Sequence, residues 1–307
     1  MRKLYYPAGL SLLLAVILTV LCIASAVAED INYTENEWNY VDGSMDVSHG
    51  IPENATGVLG RIRRNGVLRV ATEPYFAPQE FIDPDLSGQD RFVGADMKLA
   101  RLIAERMGVE LVIMPMEFSQ VLPALTEDQC DLTVSAISFT PGRATAYALS
   151  KGYYYADSEA STGFVIREAD REEITSIDSL KNKTIIAQST SLQESLAASH
   201  IYQYKEFRRV SSIQTVYEAV QNGTAEAGVV DLDTAKIYIE NNPDAGLCIV
   251  DGMYFKMEEQ YLGDRIAAKK GELQLVYFVN GVIDEVLDGD YDRWIEESEK
   301  RAKELGL

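Results

Sequence analysis

Histidine and cysteine are almost missing from this 307-residue chain. It has two of the first, His49 and His200, and three of the second, Cys22, Cys130 and Cys248. A His/Cys metal centre or a Ser-His-Asp triad therefore lacks raw material, and no metal or cofactor is expected. Positive charge is also scarce: 28 Lys and Arg stand against 48 Asp and Glu, a formal net charge of −20. A nucleic-acid partner needs the opposite balance and is excluded. Apolar residues are not lacking, and their 47% share rules out wholesale disorder. A single core seldom grows past about 250–300 residues, so one large or two medium domains are expected.

Only one stretch is apolar enough to engage a membrane. Arg2 and Lys3 precede the run Leu10–Ala28, which ends in the small-residue signal Ala26-Val27-Ala28. Residues 1–28 are expected to be a signal peptide cleaved after Ala28, placing the protein outside the cytoplasm, in a periplasm or on the outer face of the cell membrane. The alternative is an uncleaved anchor, since the run is 19 residues long. Residues 29–65 are polar and aperiodic and read as a leader or linker. Cys130 and Cys248 lie in apolar or strand-like surroundings and read as buried thiols.

From Gly66 the pattern changes. Val67–Ala71 reads as a buried strand, Asp96–Met107 has helical spacing with Gly108 as its stop, and Leu111–Met114 is the next strand. Helix Ser119–Leu125, strand Leu132–Ala136 and a helix from Thr140 follow. A second block starts near Thr162, with strands at Gly163–Arg167, Thr184–Ala187, Phe207–Val210, Ala227–Val230 and Leu247–Val250. Helices near Ile177–Leu180, Leu192–Ala198, Ile213–Gln221 and Thr234–Glu240 separate them. Strand Arg265–Ala268 and helices Leu273–Leu287 and Tyr291–Leu305 close the chain. Such alternation predicts an α/β fold with mostly parallel sheets, each flanked by helices.

Ligands of open α/β sheets sit at the carboxyl ends of the strands. After Leu132–Ala136 comes Thr140-Pro141-Gly142-Arg143, a capped helix start with an arginine in its first turn. That guanidinium suits a carboxylate. Gln188-Ser189-Thr190-Ser191 is a second capped start able to receive an anion. Asp231 ends one strand and suits an ammonium, although it also reads as a plain helix cap. Glu73 ends the first strand and is another cation-binding candidate. Phe76 and Phe118 can wall the aliphatic part of a ligand, or simply pack as core. Jointly these groups fit an α-amino acid, whose two charges must both be paired if buried.

The stretches 67–81, 93–111, 117–143, 179–191, 226–231 and 281–297 resemble the polar amino-acid family of extracellular solute-binding proteins, which serve ABC importers. The resemblance implies a two-lobed type II periplasmic-binding-protein fold with two hinge crossings, near 153–157 and 258–262. One lobe would comprise 66–152 plus 263–307, the other 158–257. It further implies that Ser138 and Arg143 hold the ligand carboxylate and Asp231 its ammonium. Phe76 and Phe118 would pack on its side chain, and Gln188 and Ser191 would line the second lobe. A polar or basic amino acid is the expected ligand, an ABC permease the expected macromolecular partner, and a monomer the expected state. Three positions depart from the family pattern: Glu73 replaces an aspartate, Ala136 a small or hydroxylic residue, and Pro141-Gly142 an acidic pair. The rival reading is a prephenate or arogenate dehydratase on the same fold. It requires an acid three positions after Asp231, where this chain has Thr234.

Overall fold

The computed structural model describes residues 41–155, 161–256 and 262–307. Its strands run β1 (Val67–Thr72), β2 (Tyr75–Phe76), β3 (Glu80–Ile82), β4 (Phe92–Val93), β5 (Glu110–Pro115), β6 (Leu132–Ser138) and β7 (Tyr147–Leu149). There follow β8 (Thr162–Arg167), β9 (Thr184–Gln188), β10 (Glu206–Val210), β11 (Ala227–Asp231), β12 (Leu247–Phe255) and β13 (Asp264–Lys269). The helices are α1 (Gly57–Asn65), α2 (Ala95–Met107), α3 (Phe118–Val121), α4 (Pro123–Thr126) and α5 (Pro141–Ala146). The later ones are α6 (Leu192–His200), α7 (Ile213–Gln221), α8 (Leu232–Asn241), α9 (Leu273–Val286) and α10 (Asp290–Leu305).

Two five-stranded sheets organise these elements, in the orders β5-β1-β6-β13-β7 and β10-β9-β11-β8-β12. In each, three parallel strands built by strand–helix–strand units are joined by one reversed strand, β13 or β8, and then by a strand paired antiparallel to it. Both faces of each sheet are covered, so the inner strands are apolar along nearly their whole length. In β9 every residue is buried. One face of the first sheet packs on α1, α2, α9 and α10 through residues such as Leu59, Leu99, Ile103, Phe278 and Ile283. The other packs on Val121, Leu125 and Ala144 from the short helices α3, α4 and α5. The second sheet is covered by α6 on one side and by α7 and α8 on the other. This is the two-lobed type II periplasmic-binding-protein architecture.

Several local expectations need correction. The helix expected over Ser119–Leu125 is broken into α3 and α4, with Pro123 opening the second. The helix from Thr140 is only six residues long. A small sheet β2-β3-β4 was not expected, because strands of two or three residues leave no periodic trace.

Residues 41–65, expected as leader or linker, are integral to the first lobe. Val41 N–H donates to the Leu149 carbonyl at 3.0 Å, and Met45 N–H to the Tyr277 carbonyl at 3.1 Å. The Asn280 amide donates to the carbonyls of Val41 (2.6 Å) and Gly43 (2.8 Å). Gly281 on α9 lets this strap lie flat, since a Cβ there would run into the Met45 carbonyl. Val58, Leu59 and Ile62 of α1 then enter the core. The anchoring is by backbone and one amide, with buried apolar residues widely spaced, so no period betrays it. Residues 1–40, including the expected signal peptide, lie outside the described residues. The crossing expected near 153–157 is described only through Tyr155, and that near 258–262 only at Leu262.

Both Cys130 and Cys248 are buried free thiols. Among the described residues, no helix is long and apolar enough to cross a membrane.

Candidate ligand-binding site

The strand ends of the two sheets meet around one cavity. Glu73 and Phe76, just beyond β1, line it together with Phe118 at the start of α3. Ala136 and Ser138 reach it from β6, Arg143 from α5, Gln188 and Ser191 from the β9–α6 junction, and Asp231 from the end of β11. Every site residue singled out from the sequence is thus brought to the same place.

Arg143 is held there by local structure. Thr140 caps α5, its hydroxyl accepting from Arg143 N–H at 3.1 Å. The guanidinium donates to the Ser138 carbonyl at 2.7 Å and, across the cleft, to the Thr190 carbonyl at 2.9 Å. It lies 5.8 Å from the Phe118 ring centroid, within cation–π range. Burial pulls its pKa down to about 10, so it stays charged at neutral pH. Only two of its five N–H donors go to those carbonyls. Thr190 has φ 64° and Ala136 has φ 43°, left-handed backbone that side chains other than glycine seldom adopt. Both sit where the backbone turns toward the cavity, and such strain concentrates at functional sites. Ala136 N–H donates to Asp96 Oδ2 at 2.9 Å, which holds that turn in place.

Asp231 caps α8, one oxygen accepting from Thr234 N–H and hydroxyl, both at 3.0 Å. Burial pushes its pKa up to about 6. The expectation of a cap and that of a cavity residue thus describe the same side chain. Glu73 is buried, and both its oxygens accept from the Gln188 amide of the facing lobe, at 2.7 and 2.8 Å. Burial lifts its pKa to about 7 despite those bonds. Ser191 caps α6, accepting from Glu194 N–H at 3.0 Å while donating to the Gln188 carbonyl at 2.7 Å.

Sequence reasoning missed several lining residues, among them Glu80, Tyr154 and Asp264. Glu80 sits on β3, pressed against the start of α2 because Gly94 offers no Cβ to collide with the Gln79 carbonyl. Ser135 joins the acids, its hydroxyl accepting from Glu73 N–H at 3.0 Å and donating to Glu80 at 2.9 Å. Burial and the neighbouring charge of Asp96 drive the Glu80 pKa far up. Asp96 has the donors: Tyr291 at 2.6 Å, Tyr153 at 2.9 Å and the Ala136 N–H. The proton of this pair therefore rests on Glu80. Asp264 was legible in principle. It opens a strand reversed relative to β6, so the start of β13 lies at the same sheet edge as the end of β6, opposite Ser138.

Among the described residues the cavity wall holds one base, Arg143, against five acids, Glu73, Glu80, Asp231, Asp233 and Asp264. Among the described residues no cluster suits a metal ion. A site that can grip an anion at one point and cations at several, between two lobes, defines a receptor for a small zwitterionic or cationic solute.

Residues 68–297 match the family of bacterial extracellular solute-binding proteins, family 3, and the chain belongs to that family. It is 28% identical over 186 residues to the arginine-binding extracellular protein ArtP of Bacillus subtilis, covering 59% of this chain and 68% of that protein. It is 27% identical over 233 residues to the lysine/arginine/ornithine-binding periplasmic protein of Escherichia coli, covering 74% and 85% respectively. Among solved structures it resembles the amino-acid ABC transporter substrate-binding protein AbpA of Streptococcus pneumoniae, bound to L-arginine. The TM-score is 0.69 and the identity 29%, over 78% of this chain and 97% of that one. The family is one of binding proteins rather than enzymes, and its location is extracytoplasmic.

Proposed function

We propose that this protein captures an α-amino acid with a cationic side chain in the interlobe cleft and delivers it to an ABC permease. The observation that carries the reading is the guanidinium of Arg143 sharing a cavity with Asp231 of the opposite lobe. A zwitterion needs opposite partners at its two poles. Arg143 and the α6 start would take the carboxylate, helped by Ser138 and Ser191, and Asp231 the ammonium. Phe76 and Phe118 would flank the aliphatic stem, while Glu73 and Gln188 would meet the distal charge. The acid-rich wall supports a cationic over a neutral or acidic side chain, as do the relatives that bind arginine, lysine or ornithine. The dehydratase alternative gains no support: Thr234, at the position needing an acid, spends both its donors on Asp231.

Closure would follow from contacts that only the closed form offers. Glu73–Gln188 and Arg143–Thr190 span the cleft, and hinges near 153–157 and 258–262 would carry the motion, with 66–152 plus 263–307 as one moving body and 158–257 as the other. The mature protein would begin after Ala28 and act as a monomer. Calorimetric titration with an amino-acid panel tests the reading. Tight binding of L-arginine or L-lysine is expected, and its loss in Arg143→Ala, which leaves a desolvated carboxylate unpaired. No binding of any amino acid by the native protein overturns it.

A further inference from the structure

The acids in and beside the cavity are provided for unequally. Glu73 has the Gln188 amide, Asp231 has Thr234, Asp96 has two tyrosine hydroxyls and a backbone N–H, and Glu80 has Ser135. Asp264 is the exception. Among the described residues, no donor makes a hydrogen bond or ion pair to its carboxylate. Its backbone, in contrast, is pinned on both sides: its N–H donates to the Tyr154 carbonyl at 2.8 Å, and its carbonyl accepts from Tyr153 N–H at 3.0 Å. The side chain is thereby aimed from a rigid strand start into the cavity it lines.

The charges around it are mixed. Asp96 and Asp231 oppose its ionisation and Arg143 and Arg265 favour it, while burial raises its pKa well above the usual carboxylate range. An under-partnered carboxylate in such a place costs stability. No contact within the described protein accounts for keeping it.

We propose that Asp264 is a second anionic contact for the ligand's ammonium, facing Asp231 from the opposite sheet. This rests on the amino-acid reading above. The ammonium would then lie between β13 of the first lobe and β11 of the second. With Arg143 also on the first lobe, both poles of the zwitterion can be engaged before the second lobe arrives. Asp264 becomes a capture residue and Asp231 a closure residue.

The test is Asp264→Asn, with Asp264→Ser as a second variant of smaller volume. Each is titrated by calorimetry with L-arginine, L-lysine, L-ornithine and L-glutamine beside the native protein, and the ligand-free melting temperature is measured. The expected result is an affinity roughly 10- to 100-fold weaker, the scale of one charged hydrogen bond, with a ligand-free melting temperature equal to or above native. Gain of stability with loss of binding is the signature of a group kept for a ligand; a structural residue would lose both. Native-like affinity in both variants overturns the proposal and leaves the amino-acid reading standing. A melting temperature that falls together with affinity in both variants also overturns it, assigning Asp264 to the frame. Failure of the native protein to bind any of the four brings down this proposal, and failure across the full amino-acid panel the reading beneath it.

Discussion

Glu73→Gln isolates the cost of burying one carboxylate at the mouth of β1. The native side chain is almost wholly enclosed and accepts from the Gln188 amide. Its pKa rises from the ordinary 4.5 to about 7, with burial the largest cause. A folded-state pKa above the unfolded one means that the native protein holds more protons than the unfolded chain between those pH values. Stability from this group is fully present below about 4.5 and is lost as pH rises through 7. The size of the loss follows from 1.36 kcal/mol per pKa unit and comes to about 3 kcal/mol by pH 8. Glutamine does not titrate. The variant also sets two amides face to face, a cost of about 1 kcal/mol that is constant with pH. Urea unfolding of both proteins at pH 5, 6, 7 and 8 separates the two. The stability of the variant minus that of native should climb by about 2.5 kcal/mol across the series, the first part of the loss having occurred below pH 5. Asp96, Glu80 and Asp231 titrate in both proteins and cancel. A difference flat with pH, or falling, would refute the claim that Glu73 is desolvated and weakly compensated.

Asp231→Asn should preserve the α8 cap, because asparagine accepts from Thr234 as aspartate does, while removing the charge. Amino-acid affinity measured by calorimetry is expected to drop roughly 10- to 100-fold with no loss of ligand-free stability; parallel loss of both would make it a cap alone. Gly281→Ala drives a Cβ into the Met45 carbonyl and against Val47. A destabilisation of about 1–3 kcal/mol in urea is expected, and an unchanged midpoint would mean that residues 41–47 do not press on α9.

Much of this architecture is legible in the sequence because both sheets are buried on two faces. Apolar runs such as Leu132–Ala136 and Thr184–Ala187, separated by helical spacing, leave few alternatives to parallel α/β lobes. The site follows from the same rule, since strand ends name Glu73, Arg143 and Asp231 once the strands are known. What escaped has physical reasons. The strap at 41–56 is tied through backbone carbonyls and the Asn280 amide, groups whose pairing has no sequence period. Glu80 belongs to a three-residue strand. Asp264 hides behind direction: a strand start counts as cleft-facing only once β13 is known to run against β6. Ala136 departs from the family pattern, and its role lies in a left-handed backbone turn tied to Asp96, which residue type alone does not reveal.

The buried acids of the cavity also tie ligand affinity to pH. To pair with cations, Asp231 and Glu73 must be ionised, yet burial holds their pKa values up to about 6 and about 7. A cationic ligand pulls both down, so binding expels protons and tightens as pH rises. A carboxylate well below its own pKa costs up to about tenfold in affinity for each further pH unit. L-Arginine, which needs both groups, should lose affinity from below pH 7, and more steeply below pH 6. L-Glutamine, which makes no demand on Glu73, should hold to lower pH than L-arginine, because the carboxylates that meet the ammonium act on both ligands alike. Arg143, still protonated up to about pH 10, contributes no slope in this range. Calorimetry of both ligands from pH 5 to 8 measures the two profiles. Parallel profiles would show that Glu73 does not meet the distal charge, and a flat L-arginine profile would place neither carboxylate against a cation.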